Sequence, residues 1–430
     1  MAPRIDIDGR NLALRRGTGI STYARNLTHV IHGLGPAVGV VYGKHLLPRA
    51  DATLAEVSFF DQENLLPRSR FARRSHLFGQ VIAGMAGLRP RRIAGEVVIR
   101  EPLAADLPYF DRLYNIPGLF DIARSYLKYT GQLMDLRYSR QERPQVFHCT
   151  CPLALRVRGA ANIYTLHDLI PLKLPYYTRY LKAEYYRIVK EIVRRADHIC
   201  TVSEFSRQDI IRTLKVPENR VTNTYQSVSV PGWITRKTDD EIANEIEGAF
   251  GLPFGGYFLF FGAIEPKKNI ARMIEGYLKA NVPQPLVIVG SEAWSADHEL
   301  AMLQNDAVRD SGRIKRIQYV PFDLLLTLIR GARSVVFPSL YEGFGLPVLE
   351  AMLLGTPVIT STSSCLPEVA GDAALLVDPY DTDDIKAAFR AMADSTASLE
   401  EFRERGQRQA ALFSPERYAA RVKAMYAPFL

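Results

Sequence analysis

Pro338-Ser-Leu-Tyr-Glu-Gly-Phe-Gly-Leu-Pro-Val-Leu-Glu350 is the stretch on which the reading of this chain turns. It follows a strand-like run, Ser334 to Phe337, and leads into a helical pattern through Val348, Leu349 and Met352. Gly343 and Gly345 allow backbone turns tight enough for amide groups to approach a ligand. Pro347 has its φ fixed for the first turn of a helix. A helix start preceded by glycines suits a diphosphate, since its N–H groups point outward and its dipole favours negative charge. Two acids frame the unit, Glu342 in the loop and Glu350 about one turn into the helix. If both were helical they would stand roughly 12 Å apart, farther than the ~5–9.5 Å of a glycosidase pair. Such acids suit opposite ends of an extended ligand, a nucleotide sugar for example. Without the glycines and the proline, the same spacing would describe a turn residue and a solvent-facing helix residue.

Working outward, strands and helices alternate from about Gly256 onward. Tyr257 to Phe261, Leu286 to Val289, Arg316 to Val320, Ser334 to Phe337, Pro357 to Thr360 and Leu375 to Val377 read as strands, and Ile270 to Lys279 as a helix. That alternation predicts an α/β lobe with a parallel sheet covered on both faces. The first half repeats it less clearly: strands at Arg4 to Asp8, Val146 to Cys149, Asn162 to Leu166 and His198 to Val202, a helix through Tyr23, Leu27 and Ile31, and a longer helix over Thr178 to Arg195. Residues 45–140 show irregular apolar runs and much arginine. Gly232 to Gly255, with charge runs, prolines and no comparable strand, is the expected linker. The expectation is two α/β lobes, residues 1–235 and 240–412, with a C-terminal helix at about 414–430 available to pack back on the first. Sites in such folds gather at the C-terminal ends of strands.

The 430 residues are 47% hydrophobic and 23% charged, the profile of a folded protein with more than one core. No run approaches twenty apolar residues, and the N-terminus reads as a strand, so neither a membrane-spanning helix nor a signal peptide is expected and the cytoplasm is the default. Cys149, Cys151, Cys200 and Cys365 form no zinc-like spacing and are expected as reduced, buried thiols. The net charge of +8 is uneven: Arg68 to Arg100 carries eight arginines against Glu96 alone. Phe71, Phe78, Ile82 and Met85 share a helical face there. The segment is either a basic amphipathic surface for an anionic membrane or a pyrophosphate-bearing lipid, or a solvated loop. No nucleic-acid-binding motif accompanies the charge.

The motifs, taken together, resemble the retaining GT-B glycosyltransferases of family GT4, in a mannosyltransferase-like wording. Glu342 to Glu350 is similar to that family's E-x7-E unit, and Thr356-Pro-Val358, Leu366-Pro-Glu-Val-Ala-Gly371 and Gly262-Ala-Ile-Glu-Pro-Lys-Lys-Asn269 fit around it. In the first half, Gly17-Thr-Gly-Ile-Ser-Thr-Tyr23, His167-Asp-Leu169 and Val202-Ser-Glu-Phe-Ser206 follow in the family's order. The resemblance implies a GT-B fold, two Rossmann-like lobes with a nucleotide-sugar cleft between them. It also implies roles. Glu342 would contact hydroxyls of the donor hexose and Glu350 the ribose. Amides from Gly343 through Phe344, Gly345 and Leu346 would bind sugar and phosphate. Lys268 would neutralise the diphosphate, with Lys267 replacing the arginine that the family often carries where this chain has Ala263. His167 would lie near donor sugar and acceptor, and Gly17 and Gly19 would let the first-lobe loop close over the diphosphate.

The chemistry asks for such groups on its own terms. Breaking a sugar–diphosphate bond develops negative charge on the leaving oxygen, which a metal-free enzyme must meet with fixed cations and amide dipoles. Lys267 and Lys268 also fit plain surface charge, and His167 a buried structural histidine. The D-x-D triplets Asp6-Ile-Asp8 and Asp381-Thr-Asp383 are not expected to hold metal, and no cofactor is expected. A G-x-G-x-x-G dehydrogenase turn is missing, because Thr22 stands where the third glycine would. The expected activity is transfer of a hexose, mannose from GDP-mannose first and glucose from UDP-glucose second, with retention. The expected acceptor is a glycan or a polyprenyl-diphosphate-linked oligosaccharide of bacterial exopolysaccharide or O-antigen assembly, reached by an enzyme peripheral on the inner membrane face. The rival readings are a phosphorylase or epimerase using the same cleft, and a non-catalytic nucleotide-sugar-binding partner of a synthase complex.

Overall fold

The computed structural model describes residues 3–13, 19–45, 51–60, 84–85, 87–94, 97–98, 108–178, 181–293, 296–305, 308, 311–394 and 396–430. Gly17 and most of the basic segment, including Arg68, Arg70, Arg73, Arg74 and Arg100, lie outside them.

In the first lobe the strands are β1 (Arg4–Asp8), β2 (Ala37–Tyr42), β3 (Arg91–Ile93), β4 (Arg112–Asn115), β5 (Met134–Leu136), β6 (Val146–Cys149), β7 (Leu155–Val157), β8 (Ala161–Thr165), β9 (His198–Thr201) and β10 (Val221–Asn223). Eight of them form a sheet in the order β10-β9-β8-β6-β1-β2-β4-β3, while β5 and β7 pair separately. Every pairing in the large sheet is parallel except β3 against β4. The second lobe holds β11 (Phe258–Phe261), β12 (Leu286–Val289), β13 (Ile314–Ile317), β14 (Ser334–Phe337), β15 (Val358–Ser361) and β16 (Ala374–Val377), all parallel, in the order β13-β12-β11-β14-β15-β16. β11 reads Phe-Leu-Phe-Phe without alternation because helices cover both of its faces and every residue is buried.

Each sheet reverses its order once beside its first strand, between β1 and β6 in the first lobe and between β11 and β14 in the second. Loops leaving strands on either side of such a reversal part and leave a crevice at the carboxyl ends. That crevice fixes where the site must be.

Several boundaries differ from the sequence reading. The strand expected at Arg316 to Val320 runs instead over Ile314–Ile317, paired with β12. The helix expected from Thr178 starts at Lys182, after a short turn at Pro175–Tyr177. The segment Gly232 to Gly255 is mostly helical: Gly232–Arg236, then Asp239–Phe250. Thr238 and Glu241 form a reciprocal cap, and Ile242 and Ile246 anchor the second helix in the core. β2 and β4 went unread, and so did the helix Leu119–Thr130.

The last long helix, Pro415–Tyr426, lies against the helix Gly19–Gly33 of the first lobe. Its Tyr426 hydroxyl sits 2.5 Å from His148 Nδ1, and His148 Nε2 lies 2.7 Å from Thr165. Burial pushes the His148 imidazole down to about 3, so it is neutral there. No helix of the described residues is long and apolar enough to cross a membrane. All four cysteines are free and buried.

Candidate active site

On the second-lobe side, two loops leave the β11–β14 reversal. The first passes through a single 3-10 turn, Pro266–Lys268, and ends at Asn269 in the left-handed region, φ 62°. The Asn269 amide donates to the carbonyls of Pro338 (3.1 Å) and Pro379 (2.6 Å), and Leu340 N donates to Lys267 O. The first loop is thus stitched to the one that carries Tyr341 to Gly345.

This stitching brings two ammonium groups onto one carboxylate. Lys268 Nζ lies 2.6 Å from Glu342 Oε1 and 4.5 Å from the centre of the Phe337 ring. Lys267 Nζ lies 3.5 Å from Glu342 Oε2 and 3.5 Å from Glu265. Glu342 is only 7% exposed. Burial by itself would raise its carboxyl, but the two lysines and the Lys268 hydrogen bond outweigh that and hold it below the usual range. Burial likewise opposes the charge on Lys267, but Glu342, Glu265 and Asp168 hold the ammonium well above its ordinary value. Lys268 is drawn the other way, downward, by burial and by the like charge of Lys267. The two neighbouring ammonium groups are thus shifted in opposite directions, Lys267 upward and Lys268 downward.

Glu350 lies on the helix Leu346–Leu353, with Pro347 in the first turn and Gly345 before it at φ 100°. An ordinary side chain at Gly345 would be strained there, and its Cβ would meet Leu366 at 2.7 Å. Among the described residues no ion pair reaches Glu350, and burial raises its carboxyl to about 7.

From the first lobe comes His167, just beyond β8. Its Nε2 donates to Thr150 O at 2.9 Å, which leaves Nδ1 as the acceptor. Burial pushes the ring down to about 4, so it is neutral near pH 7. The Tyr23 ring meets it edge-on, centroids 4.8 Å apart. Thr150 is itself fixed by Asp8, which accepts from its amide and, at 2.8 Å, its hydroxyl. The acids of the first D-x-D triplet are therefore employed in the fold: Asp8 orders the loop behind His167, and Asp6 pairs with Arg4 at 2.8 Å. Asp381 caps the helix Thr382–Asp394 by accepting from the amides of Asp383 and Asp384. Among the described residues no group of three or more His, Cys, Asp or Glu is arranged to hold a metal ion.

The lobes meet closely. A Cβ on Gly343 would stand 2.8 Å from His167 O, and one on Gly19 would stand 3.1 Å from Leu346 Cδ1. The starts of the helices Gly19–Gly33 and Leu346–Leu353 thus face each other across the cleft. His167, Lys267, Lys268, Glu342 and the Gly343–Leu346 turn line one interlobe site, with Gly19 opposite. Asn269, Thr150 and Tyr23 were not singled out from sequence, although each supports a residue that was. An asparagine at the strand-to-helix junction after Lys268 is the one local sign, since Asn tolerates the left-handed conformation.

Fold and site together define a glycosyltransferase of the GT-B architecture. Residues 255–409 match the family described as glycosyl transferases group 1, and residues 95–229 match glycosyltransferase family 4. O-antigen chain mannosyltransferase B of Escherichia coli is 36% identical over 263 residues, 59% of this chain and 67% of that one. O-antigen chain mannosyltransferase RfbU of Salmonella typhimurium is 30% identical over 227 residues, 53% of this chain and 59% of that one. The structure of Anabaena HepE in complex with UDP and glucose superposes with a TM-score of 0.66 at 12% identity, covering 99% of this chain and 100% of that one. The chain belongs to glycosyltransferase family 4.

Proposed function

We propose that this chain transfers mannose from GDP-mannose, with retention and without a metal ion, to a glycan or polyprenyl-diphosphate-linked oligosaccharide in O-antigen-type assembly. The observation that carries this reading is the Lys267–Lys268–Glu342 cluster at the β11–β14 crevice. It joins fixed positive charge to a carboxylate kept ionised, beside a helix start and opposite a neutral histidine. The two O-antigen mannosyltransferases among the relatives support the sugar and the acceptor class.

In this reading Glu342 accepts hydrogen bonds from hexose hydroxyls and Glu350 from the ribose. Lys268, Lys267 and the amides of Gly343, Phe344, Gly345 and Leu346 meet the diphosphate as its charge grows on departure. Gly19, at the start of the helix Gly19–Gly33, faces the diphosphate from the other lobe. His167, neutral and with Nδ1 open, accepts a hydroxyl hydrogen bond at the sugar. The enzyme works at the inner membrane face, where Arg89, Arg91 and Arg92 are exposed on the first lobe.

The test is thermal melting with a nucleotide panel, followed by transfer from radiolabelled GDP-mannose with EDTA present. Stabilisation by GDP and GDP-mannose and undiminished transfer in EDTA are expected. Stabilisation by UDP-glucose alone would overturn the donor, and loss of transfer in EDTA would overturn metal independence. Stabilisation by nucleotide without transfer to any acceptor would favour the non-catalytic partner.

A further inference from the structure

Glu342 is held by more than its own lobe. On its own side, Glu342 N donates to Ser364 Oγ at 3.0 Å and the Cys365 thiol donates to Glu342 O at 3.2 Å. The residues that flank it reach across the cleft. The Gly343 carbonyl accepts from Ser203 Oγ at 2.7 Å and Ser206 Oγ at 3.3 Å, and both serines are buried, at 0% and 1% exposure. The Tyr341 hydroxyl donates to Asp209 Oδ2 at 2.6 Å, and Lys173 holds the other oxygen of Asp209 at 2.5 Å. Ser203, Ser206 and Asp209 all belong to the first-lobe segment that caps and forms the helix Glu204–Leu214.

A further bond crosses at the start of that helix. Glu368, in the second lobe, accepts from the amides of Glu204 (2.7 Å) and Phe205 (3.0 Å), two donors that a helix start leaves without an internal partner. Ser203 does two jobs with one hydroxyl: it caps the helix by accepting from Ser206 N at 3.1 Å, and it donates to Gly343 O. Glycine at 343 is what permits the approach, since a Cβ there would press on His167 O at 2.8 Å.

We propose that Ser203, Ser206 and Asp209 are positioning residues for Glu342, and that with Glu368 they form a latch that sets the Glu342 carboxylate only when the two lobes are closed. The proposal rests on the transfer reading for the role of Glu342, though not for the latch itself. Every contact in it crosses from one lobe to the other, and the two residues next to Glu342 in sequence are both fixed by the first lobe. Opening the lobes breaks these bonds together, so Glu342 and its lysine partners lose the outer half of their support. Donor bound to the second lobe alone would then meet an unset carboxylate, and chemistry would wait for closure.

Two variants separate positioning from folding: Ser203→Ala/Ser206→Ala, which removes both hydroxyls, and Tyr341→Phe, which leaves the helix cap untouched. Displacing a reacting group's support by about 1 Å costs on the order of 100-fold in rate. The double variant is therefore expected to lose on the order of 100-fold in kcat for transfer from GDP-mannose, and Tyr341→Phe roughly tenfold. The Kd for GDP, measured by calorimetry, should change less than about threefold. Unchanged kcat overturns the proposal, and so does a GDP affinity that falls by the same factor as kcat. If the wild-type chain transfers nothing, the functional reading fails separately, and small-angle scattering still reads the latch. A larger radius of gyration in the double variant supports it, and equal radii sink it.

Discussion

The loop that carries Glu342 and the helix that carries Glu350 are parts of one motif, yet the two acids live in opposite surroundings. Glu342 is ringed by Lys267 and Lys268 and held ionised. Glu350 meets no described cation, and burial raises it to about 7. The same residue type therefore serves twice with different electrostatics. At one end a charge is built and neutralised within the protein. At the other a carboxyl is desolvated with no described cation beside it. In the proposed reading, hydroxyl donors of a bound ribose would offset that cost of burial.

The contrast can be broken first at the charged end. Lys268→Ala should lower kcat for transfer by roughly 10³, the scale of losing one preorganised donor at a developing anion. A fall of less than tenfold, measured as product formed from labelled donor, would move the leaving-group role to Lys267 and dissolve the asymmetry between the two lysines. Glu342 would still retain Lys267 at 3.5 Å, so the variant should remain folded by circular dichroism.

A smaller effect is expected one residue along. Gly343→Ala sets a methyl group against His167 O and should reduce transfer about tenfold by holding the lobes apart. Full activity in the alanine variant would mean that the close approach at 343 is incidental to catalysis.

The smallest effect lies at the neutral end, and its sign is definite. The Glu350 carboxyl goes from 4.5 to about 7 on folding. Its neutral form is the favoured one in the fold, so the associated stability is complete below about pH 4.5 and is lost as pH rises through about 7. Glu350→Gln, which cannot ionise, should therefore raise the ligand-free melting temperature by about 2 °C at pH 8 and leave it unchanged at pH 4. Nucleotide-induced stabilisation should shrink in the same variant. A gain at pH 4 equal to that at pH 8 would show that the carboxyl is not what carries the cost.

Legibility in the sequence followed burial. The second lobe could be read because β11, β12 and β14 are covered on both faces and appear as unbroken apolar runs. The first lobe was read where its strands do the same, as in β6 and β9. The miss at β4, Arg-Leu-Tyr-Asn, has a physical cause: Arg112 and Asn115 are polar, and Asn115 earns its burial through bonds with the backbone of Lys44. The strand at Ile314–Ile317 was misplaced for a similar reason, since Lys315 and Arg316 interrupt the apolar pattern at the sheet's edge. The helix Asp239–Phe250 falls within the expected linker: its acids and its cap look like a charge run, and the burial of Ile242 and Ile246 is what anchors it.

By itself the sequence determined the α/β character of both lobes and pointed to Glu342, Glu350, Lys268 and His167 as candidate site residues. Strand burial, glycine turns and helix starts are local, and local rules reach them. Tertiary structure alone decided that Lys267 and Lys268 share Glu342, that no cation among the described residues pairs with Glu350, and that Ser203, Ser206 and Asp209 hold the loop of the opposite lobe. These are contacts between residues 74 to 140 positions apart. No spacing rule spans that distance, because the sheet order, and not the chain order, decides which strand ends face one another.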